Sequence, residues 1–383
     1  PRRLVIMASA EPTAKAGWEV KTLGEVCEMY QPKTISKKDM DRNGEYPVFG
    51  ANGIIGRYSK FNHEDPELLI TCRGATCGAV NVSLPKSWIN GNAMVVRPRS
   101  ESLKQKFLKY LFTGGRLVEE AISGAAQPQI TRTSLNPLQI PVPPLAEQER
   151  IVGILDEAFE GIAAATAQAE KNLHNARELF QSVLQSTFSQ KGDDWVETTL
   201  GELGKVSMCK RILKHQTATK GDIPFYKIGT FGKTPNAFIS KEIYDEFRDK
   251  YSFPEKGEIL ISASGTIGRR VIYDGEPAYF QDSNIVWIAN NENLILNSFL
   301  YYFYDICEWN PSRGATISRL YNDDLRKIKI SFPANREKQL ELVAVFKNLE
   351  IYCKKLETIY ERKQAALSEL KQSLLQKAFA GAL

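Results

Sequence analysis

The chain has 383 residues, of which 43% are hydrophobic and 25% are charged, and its formal net charge is +5. This length is sufficient for two or three domains that each bury a core. The composition is ordinary for a soluble protein, and no segment reaches the roughly 18 consecutive apolar residues of a membrane span. A membrane-spanning protein is therefore excluded, and we expect a cytoplasmic one.

Cysteine and histidine are too few and too scattered for a zinc site. None of the six cysteines forms a CxxC pair, and only three histidines are available as further ligands. Reduced structural thiols are the expected state, which agrees with a cytoplasmic location. These residues are Cys27, Cys72, Cys77, Cys209, Cys307, Cys353, His63, His174 and His215.

Residues 1–17 form an N-terminal extension that stands apart from the rest of the chain. Residues 4–8 are apolar and follow two arginines, but they are too few for the core of a signal peptide. Met7, followed by Ala and Ser, would make a natural start. We interpret the extension as vector or upstream sequence.

A long internal repeat covers almost everything after residue 17. The segment WEVKTLGE at 18–25 returns 177 residues later as WVETTLGE at 195–202, and further matches follow at offsets of 190 to 191. A period this long indicates repeated domains rather than a solenoid. The further matches pair RGATCG at 73–78 with SGTIG at 264–268, the small residues from Gly124 with those from Gly314, IPVP at 140–143 with ISFP at 330–333, Glu147 with Glu337, and SVLQSTF at 182–188 with SLLQKAF at 373–379.

Each copy is predicted to contain two buried strands followed by one helix. The strands are apolar runs, and the first run ends at a glycine-rich turn. A proline-containing stretch then marks the end of the domain, because proline beside a helix start is a stop-and-start signal. In order, these elements lie at 67–73, 93–97, 103–112 and 137–144 in the first copy and at 257–264, 283–288, 297–306 and 332–333 in the second. We therefore place mixed α/β domains at 18–144 and 193–333.

The tails at 145–192 and 334–383 are predicted to be two long helices. Apolar residues recur at alternating four- and three-residue steps, as in the seam of a coiled coil, with only Lys363 interrupting the second tail, and neither tail contains a proline. Two surface helices packed on their own domains are the alternative. The seam runs through Leu155, Phe159, Ile162, Thr166, Ala169, Leu173, Ala176, Phe180 and Val183 in the first tail, and through Leu342, Phe346, Leu349, Cys353, Leu356, Tyr360, Leu367, Leu370 and Leu374 in the second.

The net charges of the two tails are opposite. Residues 145–194 carry 4 Lys or Arg against 9 Asp or Glu, which gives −5, whereas residues 334–383 carry 9 against 6, which gives +3. Opposite charge favours pairing of the two tails with each other and disfavours self-pairing of either one. The sequence thus predicts an α+β fold with two similar mixed α/β domains separated by two long coiled-coil helices.

The sequence contains no recognisable catalytic motif. GTFGKT at 229–234 lacks the glycine that a phosphate loop requires at position 227, which is lysine. Asn-Pro at 136–137 and at 310–311 begins like the Asn-Pro-Pro-aromatic motif of adenine methyltransferases but does not continue with it. No nucleophile elbow, zinc-protease motif or credible Cys/His pair is present. We therefore expect a protein that recognises a partner and has no catalytic residues of its own.

The order of these features resembles the specificity subunits of type I restriction-modification enzymes over residues 18–381. In the second copy FPANREKQ at 332–339 replaces the PPLAEQ of the first, so we expect the contacts of that junction to differ between the copies. The motifs that carry the resemblance are Trp18 with LGE at 23–25, Trp195 with LGE at 200–202, the loops around Thr76 and Thr266, Gln129-Ile130, and IPVPPLAEQERI at 140–151.

The resemblance implies two target-recognition domains in a pseudo-twofold repeat, each reading one half of a bipartite double-stranded DNA site. An antiparallel pair of helices would hold them apart, and a rod of roughly 60 Å would set the unread spacing between the half-sites. It also implies two partner modification subunits, which methylate adenine and bind S-adenosylmethionine, and two motor-nuclease restriction subunits in the full complex. No cofactor or metal is expected on this chain itself.

Candidate DNA contacts are basic, amide and hydroxyl residues near the predicted turns. Lysines are expected to contact phosphates, whereas Arg57, Arg73 and Arg269 are expected to read guanine, since a guanidinium can grip O6 and N7 together. An ordinary solvated surface is the alternative for each exposed lysine. The candidates are Lys33, Lys37, Lys38, Arg57, Tyr58, Arg73, Thr76, Asn90 and Asn92 in the first domain, and Lys210, Arg211, Lys214, Tyr226, Lys227, Ser264, Thr266, Arg269 and Asn284 in the second.

A second function is compatible with the same sequence. Duplicated domains on a coiled coil also suit a non-catalytic scaffold that binds two protein partners, with incidental basic patches. The salt dependence of duplex binding separates the two hypotheses, because DNA recognition predicts a steep loss of affinity with added salt.

Overall fold

The structure is a computed structural model that describes residues 15–50, 52–114, 116–124, 127–310, 312–313 and 318–383. Most of the predicted N-terminal extension and the matched stretch at 314–317 lie outside the described residues. The chain divides into two compact units. The first comprises Pro1–Ala169 with Arg362–Leu383, and the second comprises Glu170–Glu361. Each unit contains one globular domain and one half of each of two long helices.

The domain of the first unit contains three small sheets among the described residues. Their strand orders are β1-β9, β2-β8-β5-β6 and β4-β3-β7, and all pairs are antiparallel except β3 with β7. The strands are β1 (Glu19–Thr22), β2 (Cys27–Tyr30), β3 (Tyr46–Gly50), β4 (Gly53–Tyr58), β5 (Leu68–Thr71), β6 (Val80–Val82), β7 (Trp88–Ile89), β8 (Ala93–Pro98) and β9 (Gln139–Val142). The helices are α1 (Leu23–Val26), α2 (Gln105–Thr113), α3 (Arg116–Glu120) and α4 (Arg132–Leu135).

The core of this domain lies between its four-stranded sheet and α2. All four residues of β5 are buried, as expected for a central strand, and α2 buries Phe107, Leu108 and Leu111. The same core continues onto the first long helix, α5 (Leu145–Ser189), through Leu155 and onto the C-terminal helix through Leu375. The helix ends are therefore part of the domain core.

The second unit repeats this plan. Its four-stranded sheet has the order β11-β17-β14-β15 and its three-stranded sheet the order β13-β12-β16; among the strands that the structure describes here, only β12 and β16 are parallel. Its elements are β10 (Trp195–Thr199), α6 (Leu200–Leu203), β11 (Gly204–Ser207), β12 (Ile223–Tyr226), β13 (Phe238–Ile239), α7 (Lys241–Lys250), β14 (Ile259–Ser262), β15 (Arg270–Ile272), β16 (Tyr279–Phe280), β17 (Ile285–Asn290), α8 (Asn297–Ile306), β18 (Ser312–Arg313), β19 (Ser318–Arg319), α9 (Asn322–Lys327) and β20 (Lys329–Pro333).

The second long helix is α10 (Arg336–Phe379), and it runs antiparallel to α5 within each unit. In the first unit Arg150 Nη2 donates to Leu383 O at 2.8 Å. In the second unit Phe188 stacks on Phe346 with ring centroids 6.0 Å apart. The protein therefore consists of two similar mixed α/β domains joined by a long helix. None of the described helices is long and apolar enough to cross a membrane.

Every predicted seam residue of α5 is buried or half-buried. In α10 the prediction holds as far as Leu367 and then is wrong at Leu370, which is 47% exposed. Leu375 and Ala378 are fully buried instead. A straight α-helix drifts from a strict heptad repeat, so the buried face of its last turns shifts toward the domain core.

Candidate nucleic-acid interface

A glycine loop follows a fully buried strand in each domain. The first glycine loop, residues 73–78, follows β5, and the second, residues 264–268, follows β14. A backbone hydrogen bond from the last glycine to the strand closes each loop, at 2.9 Å in the first and 3.0 Å in the second. The two glycines of each loop have φ between +67° and +91°, a range that other residues rarely adopt. The loop side chains are therefore presented from a fixed backbone.

A second segment runs beside each glycine loop. In the first domain Arg73 faces Gln129 across an isolated β-bridge, and in the second Ser264 faces Arg319 across the equivalent bridge. Gln129 and Arg319 were not among the predicted contacts, although both lie at the candidate site. Their signal in the sequence is the repeat itself, because the offset of 190 aligns one with the other.

In the first domain a turn around Gly91 joins the glycine loop to the lysine-bearing segment 31–38. Cys72 N, at the base of the loop, donates to Asn92 O at 3.0 Å. Gln31 Nε2 donates to Gly91 O at 2.9 Å from the other side. These bonds anchor beside the loop a segment with three exposed cations, Lys33, Lys37 and Lys38.

Asn90 is not available to DNA, which corrects its prediction as a contact residue. It is 3% exposed. Its carbonyl oxygen accepts from Ile35 N at 2.9 Å and from Trp88 Nε1 at 3.1 Å, and its amide donates to Ile35 O at 3.3 Å. Since a buried amide with these partners serves the fold, Asn90 positions the lysine-bearing segment.

The two predicted base-reading arginines of the first domain differ in their partners. Arg57 donates from Nε to Gly44 O at 2.6 Å and from Nη2 to Glu45 O at 2.5 Å. Arg73 is exposed, and its guanidinium forms no hydrogen bond or ion pair with any described residue. Arg73 is therefore free to bind a ligand, whereas Arg57 braces its own domain. Of the other predicted residues, Thr76 and Asn92 are exposed and Tyr58 is half-buried.

In the second domain the equivalent turn, residues 281–284, brings several predicted contacts together. Ser264 Oγ, in the glycine loop, donates to Asn284 Oδ1 at 2.9 Å. Arg211 Nε donates to Asp282 Oδ2, also at 2.9 Å. The loop and the basic segment around Arg211 thus meet at one turn, as their counterparts do in the first domain.

The same turn anchors the segment that follows β12. Gln281 N donates to Tyr226 O at 2.9 Å, and Gln281 Oε1 accepts from Ile228 N at 2.9 Å. Arg319 Nη2 donates to Ser283 O at 2.6 Å.

The remaining predicted contacts of the second domain differ in exposure. Lys210, Lys227 and Thr266 are exposed, and Tyr226 is half-buried. Lys214 is exposed on a separate 3-10 turn. Arg269 donates from Nη1 to Phe231 O at 3.1 Å.

The titratable groups near these sites favour uncharged thiols and a neutral imidazole. Burial raises the pKa of Cys72, and it raises the pKa of Cys209 to about 12. Burial also lowers the pKa of His63, whose Nε2 lies 2.9 Å from the hydroxyl of Tyr30. Within the described ranges no group of His, Cys, Asp and Glu is arranged to hold a metal ion. The exposed predicted contacts at both sites are cationic, amide and hydroxyl side chains, which suit an anionic partner with hydrogen-bonding groups.

A buried glutamine joins the first domain to its long helix. Gln148, in the first turn of α5, donates from Nε2 to Ser102 O and Pro143 O, each at 2.9 Å. Its Oε1 accepts from Lys104 N, also at 2.9 Å. Gln339 makes the equivalent bonds in the second unit, to Leu294 O at 2.9 Å, Pro333 O at 2.8 Å and Leu296 N at 2.9 Å. The expectation that the two junctions differ is therefore wrong for this contact.

Comparisons with known proteins match both copies of the repeat. A family model described as the type I restriction modification DNA specificity domain matches residues 15–173 and 192–366. A putative type I restriction enzyme specificity subunit from Haemophilus influenzae is 42% identical over 343 residues, which are 87% of this chain and 87% of that protein. The StySPI specificity subunit of a type I restriction enzyme from Salmonella potsdam is 23% identical, and the match covers 93% of this chain and 78% of that protein.

Two solved structures share the fold. One is a chain from a type I R-M system studied for complex assembly and conformational transition, with a TM-score of 0.77, 20% identity and coverage of 97% of this chain and 100% of that chain. The other is the HsdS subunit from Thermoanaerobacter tengcongensis, with a TM-score of 0.62, 19% identity and coverage of 98% and 100%. Both domain matches and the 42% identical relative show the family. This chain belongs to the specificity subunits of type I restriction-modification enzymes, a family that is non-catalytic in general.

Proposed function

We propose that this subunit reads a bipartite DNA site, with one half-site for each domain. One observation carries the proposal: in both domains a glycine loop, a turn and a basic segment meet at one place. Each meeting point presents cations together with amide or hydroxyl groups, the mixture that binds phosphates and base edges. Because the arrangement occurs twice in one chain, it supports two binding events per subunit.

Within each half-site the side chains have different roles. The exposed lysines of both domains contact phosphates, which gives affinity without sequence information. They are Lys33, Lys37 and Lys38 in the first domain and Lys210, Lys214 and Lys227 in the second. Arg73 reads a guanine, because its unbound guanidinium is able to donate to O6 and N7 together. One such bidentate contact contributes about 1–3 kcal/mol of discrimination against the wrong base.

The two long helices set the spacing between half-sites. The 45 residues of α5 span about 68 Å at 1.5 Å per residue, which exceeds the 34–36 Å of one DNA turn. When one domain has bound, the second binding event becomes intramolecular, so that the selectivities of the two half-sites multiply. A rigid spacer therefore turns two short recognitions into one specific site.

The subunit directs two modification subunits to the site, and these bind S-adenosylmethionine and methylate adenine. Two motor-nuclease subunits join them in the complete restriction complex. A candidate docking row on α10 consists of Val345, Tyr352 and Ile359, which are 54–56% exposed and lie seven residues apart on one side of the helix. Exposed apolar patches mark protein contacts, and this row is our candidate for one. Tyr352→Glu should weaken co-purification with the modification subunit and leave duplex binding by the isolated chain unchanged.

The proposed function is tested by DNA binding and by methylation mapping. Affinity for duplex DNA should fall linearly on a log–log plot against salt, with a slope of about −0.9 per phosphate contacted. Methylated adenines in cells that carry this chain and its modification subunit should lie in two short sequences at a fixed separation. Binding that does not depend on salt would instead favour the protein scaffold.

A further inference from the structure

We propose that Gln129 and Arg319 determine specificity, Gln129 by selecting an adenine in the first half-site and Arg319 by selecting a guanine in the second. The inference rests on the proposed function, because it names the bases that two residues of the same sites would read. It concerns the residue that faces the first position of each glycine loop, which the repeat places at equivalent points of the two domains.

Backbone hydrogen bonds hold Gln129 on both sides. Gln129 N donates to Ser123 O and Ser123 N donates to Gln129 O, each at 2.9 Å, and Ile130 N donates to Cys72 O at 2.9 Å. The side chain is exposed, and its amide forms no hydrogen bond with any described residue. A free amide on a backbone this well fixed is suited to read a base, because its attachment point is set before DNA arrives and both its donor and its acceptor are available.

Arg319 is held by its side chain as well as by its backbone. Leu320 N donates to Ala263 O at 2.9 Å, which fixes the segment, and Arg319 Nη2 donates to Ser283 O at 2.6 Å. Only one of the five N–H donors of a guanidinium is needed for that bond. The remaining donors include a pair on neighbouring nitrogens, which is the arrangement that grips guanine.

A purely structural role would not require arginine at this position. In the first domain the equivalent carbonyl, Gly91 O, is bound by Gln31 Nε2 at 2.9 Å, so a single neutral donor is sufficient to hold the turn. The residue across the bridge in the first domain, Gln129, is therefore not needed to hold the turn. In the second domain Arg319 supplies both the anchor and the additional donors.

The chemistry across the bridge differs between the domains. Arg73 with Gln129 combines a guanine reader with an adenine reader, whereas Ser264 with Arg319 combines a hydroxyl with a guanine reader. Two bridges of equivalent backbone therefore present different donor patterns. We expect different bases at the two corresponding positions of the site.

The test exchanges the two side chains in the full chain together with its modification subunit. Methylated sites are sequenced for Gln129→Arg and for Arg319→Gln, and affinities are measured for duplexes that carry each single base-pair change in the mapped site. Each variant should shift or relax the preference at one base pair of its own half-site, by about tenfold to a hundredfold. The matched controls are Gln139→Arg on β9 and Arg326→Gln on α9. Both positions are exposed and lie outside the glycine loops, the turns and the basic segments, so these substitutions should leave the recognised site unchanged.

Four results bear on the inference in different ways. An equal loss of affinity for all duplexes would overturn it, because it would make the residue a phosphate contact, and so would an unchanged site. If Arg319→Gln unfolds the domain, Arg319→Lys keeps one donor for Ser283 O but lacks the paired donors, so a normal melting temperature with a lost base preference supports the inference. Equal affinity of the unaltered protein for all duplexes would reject the proposed function itself.

Discussion

A buried glutamine at the start of each long helix carries three hydrogen bonds to backbone groups of the neighbouring domain. Gln148 and Gln339 are both at most 1% exposed. Comparison of the sequences aligns Glu147 with Glu337 and treats the second junction as divergent, but the structure aligns the two glutamines. The sequence alone does not show that the glutamines are equivalent, because the shift of one residue between the copies lies in the irregular backbone ahead of the helix.

Replacing either glutamine by alanine should destabilise the protein by about 2–4 kcal/mol, since two carbonyls and one N–H are left buried without partners. We expect this for Gln148→Ala and Gln339→Ala. The free energy of unfolding is measured by urea titration. Gln376→Ala, at an exposed position of α10, should change it by less than about 0.5 kcal/mol. A similarly small effect at Gln339 would show that its hydrogen bonds do not secure the junction.

Glu258 in the second domain is a buried carboxyl group with no described cationic partner, whereas its counterpart in the first domain has one. In the first domain Glu67 forms an ion pair with Arg97, but the position equivalent to Arg97 is Ala289 in the second. Glu258 is 6% exposed, and burial raises its pKa from 4.5 to about 7. A raised pKa in the folded state stabilises the protein fully below the unfolded value of 4.5, and this contribution is lost as the pH rises through about 7.

The effect of Glu258→Gln on the free energy of unfolding should therefore depend on pH. The substitution should be more stabilising at pH 8 than at pH 5, by about 1–3 kcal/mol. The measurement is the difference in free energy of unfolding between variant and unaltered protein at the two pH values. Glu276→Gln removes an exposed carboxyl of the same domain and serves as the control. An effect of Glu258→Gln that is equal at both pH values would contradict a raised pKa.

At the scale of elements, periodicity and turn residues were sufficient to locate most of the buried secondary structure. The apolar run predicted as a strand at 67–73 contains β5, and the helix predicted at 297–306 is α8. These elements are determined by their own burial pattern. The end of the α10 seam was wrong at Leu370, because there the helix meets a domain core rather than a partner helix alone.

The candidate site was predictable only in part, for a physical reason. The sequence suggests Arg73 as a contact because it lies next to a glycine turn, and this stays a prediction. Gln129 and Arg319, which face the glycine loops in the structure, have no such signal, since a bridge between distant segments leaves no local pattern. Asn90 was assigned to DNA although it is buried, because an asparagine that braces a loop and one that reads a base have the same surroundings in sequence.

Lengthening both long helices by one heptad should widen the unread gap between half-sites. Repeating residues 163–169 in α5 and 355–361 in α10 preserves the apolar seam and adds about 10.5 Å. This length corresponds to about three base pairs. Methylated sites are sequenced to measure the gap, and an extension of only one helix, which mismatches the seam, serves as the control. An unchanged gap would show that the helices do not set the spacing.

At the scale of the whole molecule, the opposite net charges of the tails explain only part of the ion pairing between them. Lys338 of the basic tail pairs with Asp194, at the end of the acidic tail, at 2.9 Å. Arg177, in the net acidic tail, pairs with Glu357 and Glu361 of the net basic one, each at 3.3 Å. The described cross-helix pairs of the second unit therefore use the minority charge of each tail. Exposed pairs of this kind contribute roughly 0–1 kcal/mol each, so apolar packing at residues such as Phe346 dominates the association.

The duplication should make each recognition domain replaceable, because the hydrogen bonds at the junction with the helix use backbone groups of the domain. Gln148 binds the carbonyl of Ser102 and the N–H of Lys104, groups that any residues except proline at position 104 would retain. Exchanging residues 18–141 for the first domain of another specificity subunit should therefore preserve the junction. Sequencing of methylated adenines should then show a new first half-site with an unchanged second half-site. The reciprocal exchange of residues 195–331 is the control, and it should alter only the second. If either exchange altered both half-sites, readout would be shared between the domains, and the repeat would not be two independent readers.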